Sequence, residues 1–242
     1  MVEDLLLTSV PGGAAVMIAE PILGVGGVIT PPDDYWTKIA AICRKHNITL
    51  VMDEVFTGIG RTGAFFAYQH LGIHPDIVVF AKAIANGIPL GGFIATKEVG
   101  EAMKPGDHST TMGSSNQVGL AAAHAVLDIM EEEHLTERAT QRGNRLMAGL
   151  RKLAERYGFI GEVRGRGLMI GVEIVKDKES RAPDEPTAEK IVHYLRQNGV
   201  LVSLSGVYHN SLRITPPLVI TEAQIDAVVE TMDAACAAAR PR

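Results

Sequence analysis

Three short runs, apolar but for Thr49, at residues 14–19 (AAVMIA), 48–52 (ITLVM) and 77–80 (IVVF), each lead the chain to an ionisable side chain. Glu20 follows the first, Asp53 the second and, after one alanine, Lys82 the third. Runs of this length without polar alternation suit strands buried on both faces, the arrangement of parallel sheets. Between the first two, Pro31, Pro32 and Asp33 or Asp34 open a helix that runs to His46. Its apolar residues Trp36, Ile39, Ile42 and Cys43 follow helical spacing, and Arg44, Lys45 and His46 suit the negative end of its dipole. Strand, helix, strand at this rhythm predicts right-handed crossovers and a parallel sheet covered by helices. In such a sheet the carboxyl ends of the strands lie along one edge, where ligands bind. Glu20, Asp53 and Lys82 are therefore expected together. An Asp–Lys ion pair of purely structural kind would leave the same trace.

The second half has a different texture. Residues 118–133 form an Ala-rich helix closing on the acidic run 131–133, which reads as a solvated helix end. A longer helix is predicted over 136–157, with Glu137 in its first turn. Then come the stretch 163–174, a polar loop over 176–186 and a helix over 187–198 stopped by Gly199. Residues 90–96, 200–204 and 211–214 read as further strands. A last helix, 221–239, starts on Thr221 as its cap. The expected division is 1–133 for a larger α/β domain and 134–242 for a smaller α+β domain.

Charge and composition exclude several functions. A net charge of −5 in 242 residues gives no electrostatic case for nucleic acid or an anionic membrane. The apolar runs are far too short to cross a bilayer. Residues 1–10 carry acids and no basic leader, so a cytoplasmic location without a targeting peptide is expected. Cys43 and Cys236 lie far apart and read as buried, reduced thiols, and the scattered histidines lack ligand spacing, so no metal site is expected. Gly58, Gly60 and Gly63 spell a literal G-x-G-x-x-G, but it starts well beyond its strand and only a short helix, 64–71, can follow. Those glycines read instead as a loop passing close to the sheet edge.

Four long segments, AEPILGVGGVITPP, LVMDEVFTGIGRTG, PDIVVFAKAIANGIPLGG and LRITPPLVITEAQID, resemble class III pyridoxal-phosphate-dependent aminotransferases of the ω-amino-acid type. They stand in that family's order and spacing over almost the whole chain. The resemblance implies an α/β fold, the mostly parallel sheet of a PLP-transferase (fold type I) large domain, N-terminally truncated, followed by the smaller α+β C-terminal domain. It begins in the middle of the family's large domain, so a phosphate-cradling Gly/Ser loop and a ring-stacking aromatic residue are not expected here. It makes Lys82 the Schiff-base lysine and proton carrier, in a buried setting. It makes Asp53 the partner of the cofactor ring nitrogen, places Val55 and Phe56 beside the cofactor, and gives Arg213 a substrate carboxylate. Thr111, or Thr110 beside it, aligns with a threonine that reaches the cofactor phosphate of the neighbouring subunit in a homodimer. His108, nearby, reads as a polar loop residue.

Departures from the family pattern narrow the expectation. Phe56 stands where relatives carry a glutamine that contacts the ring hydroxyl. Leu23 and Val25 replace the glutamine and gating glutamate of the γ-aminobutyrate and ornithine branches. The resemblance thus points toward ω-amino-acid:pyruvate and amine transaminases, which pass an amino group from an amine or amino acid to a keto acid. Two alternatives stay open: a PLP-dependent amino-acid racemase or decarboxylase of the same fold, and a non-catalytic remnant serving as a dimerisation module.

Overall fold

The computed structural model describes residues 1–104, 106–107 and 116–239, which gather into two compact units. Unit 1 comprises Met1–Pro21, Pro31–Ile59 and Ala64–Glu133. Unit 2 comprises Ile22–Thr30, Gly60–Gly63 and His134–Arg242.

In unit 1, helix α1 (Val2–Ser9) precedes strand β1 (Val16–Ala19), helix α2 (Tyr35–Lys45) and strand β2 (Thr49–Asp53). A 3-10 turn (Ala67–His70), strand β3 (Ile77–Ala81), a second 3-10 turn (Lys82–Ala85), strand β4 (Gly91–Ala95) and helices α3 (Lys97–Glu101) and α4 (Gln117–Glu132) follow. The sheet runs β1-β2-β3-β4, with β1, β2 and β3 parallel and β4 antiparallel to β3. Trp36, Ile39 and Cys43 bury one stripe of α2 against Leu50 and Met52, as their spacing requires. The Trp36 indole N–H, 3% exposed, donates to the Pro21 carbonyl at 3.1 Å, so this ring is buried without losing its donor.

Strand β1 departs from the expectation of burial on both faces. Met17 and Ala19 pack on the core beneath α2, but Val16 is 55% and Ile18 62% exposed. Among the described residues β1 pairs with β2 alone, so it is a sheet margin covered on one face. Helices α1 and α3 had no sequence expectation, because both are short and α1 buries no residue fully.

Unit 2 packs helices α5 (Leu135–Arg156), α6 (Glu185–Gln197) and α7 (Glu222–Ala239) on one antiparallel sheet. That sheet holds strands β5 (Ile160–Arg166), β6 (Met169–Ile174), β7 (Ser203–Ser205) and β8 (Ser211–Ile214), in the order β5-β6-β8-β7. The stretch 163–174 is thus two strands of a hairpin, turned at Gly167 with φ +55°. Ile170, Val172, Leu212 and Ile214 face the helices. The intervening Gly171 has no side chain, and Val28 occupies that space: a Cβ at Gly171 would lie 2.9 Å from the Val28 Cβ. Helix α7 opens on a reciprocal cap, with Gln224 N–H donating to the Thr221 hydroxyl at 3.2 Å and Thr221 N–H to the Gln224 side-chain Oε1 at 2.9 Å. Cys43 and Cys236 are both buried and unpaired with each other, and burial pushes the Cys236 thiol up to about 12. No described helix is long and apolar enough to cross a membrane.

Candidate active site

Parallel pairing sets Ala19 opposite Met52 and Asp53 opposite Val79. Glu20, Asp53 and Lys82 therefore stand at the same carboxyl margin of the unit 1 sheet, as the three apolar runs predicted. Lys82 begins the 3-10 turn beyond β3 with φ +51°, a left-handed conformation uncommon for a long side chain. A residue held there is kept by its surroundings and is a recurrent mark of functional positions. Its ammonium lies 5.4 Å from the centroid of the Phe56 ring, three residues beyond Asp53, within cation–π range. One Asp53 oxygen accepts the Val55 N–H at 3.0 Å, which orients the carboxylate at the strand end. Asp53, Val55 and Phe56 are half-buried.

The burial expected of Lys82 is not what the chain provides, since the residue is exposed among the described residues. The reason is its place: it stands past the last paired residue of β3, with the Phe56 ring as its recorded aromatic neighbour.

Glu54 was missed by sequence reasoning. Adjacent to Asp53 but pointing into the unit, it is 1% exposed and ties the following loop together. Its carboxylate accepts the Thr57 hydroxyl at 2.5 Å, the Ala67 N–H at 3.0 Å and the Tyr68 N–H at 2.7 Å. An acid immediately after the strand-end acid was the available signal, because alternation sends neighbouring side chains to opposite sides. Burial pushes its carboxyl above the ordinary range, with the nearby Asp53 charge adding to the push, while the three donors pull it down. A raised folded-state pKa stabilises the fold at acid pH, and this contribution is lost as pH rises from 4.5 through the raised value. Glu54→Gln is expected to remove that slope. Glu54→Ala, which strands three donors, is expected to cost about 2 kcal/mol, read as a lower urea midpoint.

The glycine-spaced loop behaves as packing. Gly58 lies against Glu54, where an added Cβ would meet the Glu54 carbonyl at 2.7 Å. Only a 3-10 turn follows, so no helix N-terminus stands ready for a phosphate. Its Gly60–Gly63 portion belongs to unit 2, where Leu168 N–H donates to the Arg61 carbonyl at 3.0 Å. The Arg61 guanidinium in turn donates to the Leu168 carbonyl at 3.3 Å and to that of Pro216. Burial draws Arg61 down to about 10.

Arg213 lies on β8 of unit 2, half-buried between Gly171 and Ser203 of the flanking strands. It lines a cleft of about 560 Å3 together with Val202, Ser203, Gln224, Val228 and Thr231. His108, Thr110 and Thr111 lie outside the described residues. Among those described, no group of three His, Cys, Asp or Glu residues could hold a metal ion.

An amine and a carboxylate thus stand at the ends of adjacent parallel strands, with the Phe56 ring between them in sequence. The family model for "Aminotransferase class-III" matches residues 1–236. The chain belongs to the class III aminotransferase family. The taurine–pyruvate aminotransferase of Rhodobacter capsulatus is 42% identical over 97% of the chain and 54% of its own length. The leucine/methionine racemase of Thermococcus litoralis is 39% identical over 93% of the chain and 50% of its own length. An amine transaminase from an uncultivated Pseudomonas species, solved in its PLP-bound form, superposes with a TM-score of 0.88 at 37% identity, covering 99% of the chain and 55% of that one. This class III chain thus spans about half the length of the curated relatives it matches.

Proposed function

We propose that the protein is a PLP-dependent transaminase, passing an amino group between an amine or amino acid and a keto acid such as pyruvate. The observation that carries this reading is Lys82, held in a left-handed conformation at the end of β3 beside the strand that ends in Asp53. The residues fit the cofactor chemically: a primary amine for an aldehyde, a carboxylate for a protonated ring nitrogen, and the Val55–Phe56 pair for the faces of a ring. Bound pyridoxal phosphate supplies the aldehyde and an electron-withdrawing ring that stabilises negative charge on the substrate carbon. Asp53, with one oxygen committed to Val55 N–H, keeps the other able to hold a proton at the ring nitrogen. The Lys82 amine takes the proton from the substrate carbon and returns it elsewhere. Arg213 grips a substrate carboxylate with its planar fork. Thr111, or Thr110, serves a cofactor phosphate across a homodimer. The protein works in the cytoplasm.

Mixing the protein with pyridoxal phosphate is expected to give a visible absorption band, and adding an amine donor and pyruvate should form alanine. A protein that gives neither overturns the reading. For Arg213→Ala, losing two charge-assisted hydrogen bonds should raise the KM of carboxylate-bearing substrates about 100-fold, while simple amines change little.

A second reading, amino-acid racemisation, is favoured by the racemase relative. It uses the same lysine but returns the proton to the carbon it left. Exchange of α-deuterium with no keto acid formed would select it.

A further inference from the structure

The buried Glu54 reaches beyond its own loop. Its main-chain N–H donates to the Val79 carbonyl of β3 at 2.9 Å, and its carbonyl accepts the Gly58 N–H at 2.9 Å, closing a turn over 54–58. The side chain accepts from the Thr57 hydroxyl and from the Ala67 and Tyr68 amides of the 3-10 turn. One residue therefore joins strand β3, the turn that carries Val55 and Phe56, and the Ala67–His70 turn, all within unit 1.

Two paths lead from this junction to Lys82. Along the first, the 54–58 turn holds the Phe56 ring, whose centroid is 5.4 Å from the Lys82 ammonium. Along the second, Phe66, which precedes the 3-10 turn and is buried, meets the Phe80 ring at 6.0 Å between centroids. Phe80 stands two residues ahead of Lys82, and its ring lies against Gly92 of β4, where an added Cβ would be 2.9 Å from it.

A further observation is independent of these contacts. Ile59, at the exit of the turn, is 2% exposed with φ +58°, a steric outlier for a β-branched residue. Such strain persists only where surrounding contacts over-determine it. The choice of side chain at position 54 points the same way. A buried carboxylate whose three partners are neutral donors costs stability that an apolar side chain of its size would not. Its advantage is geometric. Oε2 accepts from Thr57 and Ala67 while Oε1 accepts from Tyr68, and glutamine, with one acceptor oxygen, would turn its amide N–H groups toward at least one of them.

We propose that Glu54 is a positioning residue: it braces the Phe56 turn against the Ala67–His70 turn and so fixes the Phe56 ring against the Lys82 amine. Its bearing on proton transfer rests on the transaminase reading, whereas its bearing on the place of Lys82 rests on the geometry alone.

The test compares cofactor-free wild-type protein with Glu54→Gln, Phe56→Leu and the double variant. The rate at which trinitrobenzenesulfonate labels Lys82 is read by peptide mass, with the exposed Lys97 as internal reference. Glu54→Gln is expected to quicken Lys82 labelling about threefold, the measure of an exposed cation–π contact, with Lys97 unchanged. Phe56→Leu should quicken it equally and the double variant no further, since both changes remove the same contact. Unchanged Lys82 labelling in Glu54→Gln, an equal rise at Lys97, or additive effects in the double variant each overturn the proposal. Should Glu54→Gln not fold, Glu54→Asp takes its place, because it retracts both oxygens by one methylene, and unchanged labelling there carries the same meaning. With pyridoxal phosphate, amine donor and pyruvate, Glu54→Gln should lower kcat about tenfold with the KM of the donor unchanged. An unchanged kcat overturns its part in catalysis. A wild-type protein without transaminase activity defeats the functional reading instead, and the labelling comparison still decides whether Glu54 positions Lys82.

Discussion

Lys82→Ala is expected to abolish the visible absorption band formed with pyridoxal phosphate and to lower transamination by at least about 10⁴-fold. The substitution removes both proposed roles of one group: the amine that meets the aldehyde and the base that moves the substrate proton. General-base catalysis alone accounts for about 10²–10⁴, so a loss near the top of that range or beyond follows when covalent attachment goes too. The fold should tolerate the change. Lys82 is exposed, and alanine adopts a left-handed φ no better than lysine, so stability should move by less than about 1 kcal/mol. A variant that keeps its thermal midpoint but loses the band assigns the effect to chemistry. A variant that keeps the band excludes Lys82 as the attachment point. Asp53→Asn provides the companion measurement, retaining an oxygen for Val55 N–H while removing the charge that holds a proton on the ring nitrogen.

The largest effect on stability is expected at Gly143→Ala. On helix propensity alone, glycine to alanine within α5 would stabilise by about 1 kcal/mol. Here the sign reverses. A Cβ at Gly143 would lie 2.1 Å from the Gly167 carbonyl oxygen and 2.3 Å from its carbonyl carbon. Those are backbone atoms, and they cannot rotate aside. Gly167 is itself pinned, with φ +55° and Thr62 and Arg61 backbone packed against it. Either α5 moves off the β5–β6 turn or the turn moves off the Gly60–Gly63 stretch, and overpacking of this kind costs about 3 kcal/mol, occasionally more. Netted against the propensity gain, a loss of about 2–3 kcal/mol should appear as a lower urea midpoint with unchanged slope. Gly149→Ala is the control on the same helix. Its Cβ would meet only the Val229 side chain, at 2.7 Å, which can shift rotamer, so its loss should be smaller.

The margin that carries Glu20, Asp53 and Lys82 was legible because each apolar run marks its own strand and each ionisable residue marks where the strand must leave the interior. The helices of unit 2 were legible for a similar reason, since Leu146, Leu150 and Leu153 repeat at the spacing that buries one face of α5. Other features could not be read this way. Val16 and Ile18 look like any buried strand residues in one dimension, because apolar character states what a residue tolerates and not which neighbour covers it. Glu54 was hidden beside the more conspicuous Asp53. Its partners, Ala67 and Tyr68, lie 13 and 14 residues on and contribute backbone amides that every sequence possesses.

The sequence by itself determined the type of most elements, the strand-end placement of an acid and an amine, and the family to which those motifs belong. Periodicity and motif are local properties, carried by residues a few positions apart. Only the tertiary structure decided that Ile22–Thr30 and Gly60–Gly63 join the second unit, that Gly27 and Val28 are clamped by Arg164 from 136 or 137 positions away, and that Lys82 stands in a left-handed turn over Phe56. These depend on carbonyl groups, missing side chains and backbone angles. Their partners are chosen by proximity in space, and no local pattern in the chain encodes it.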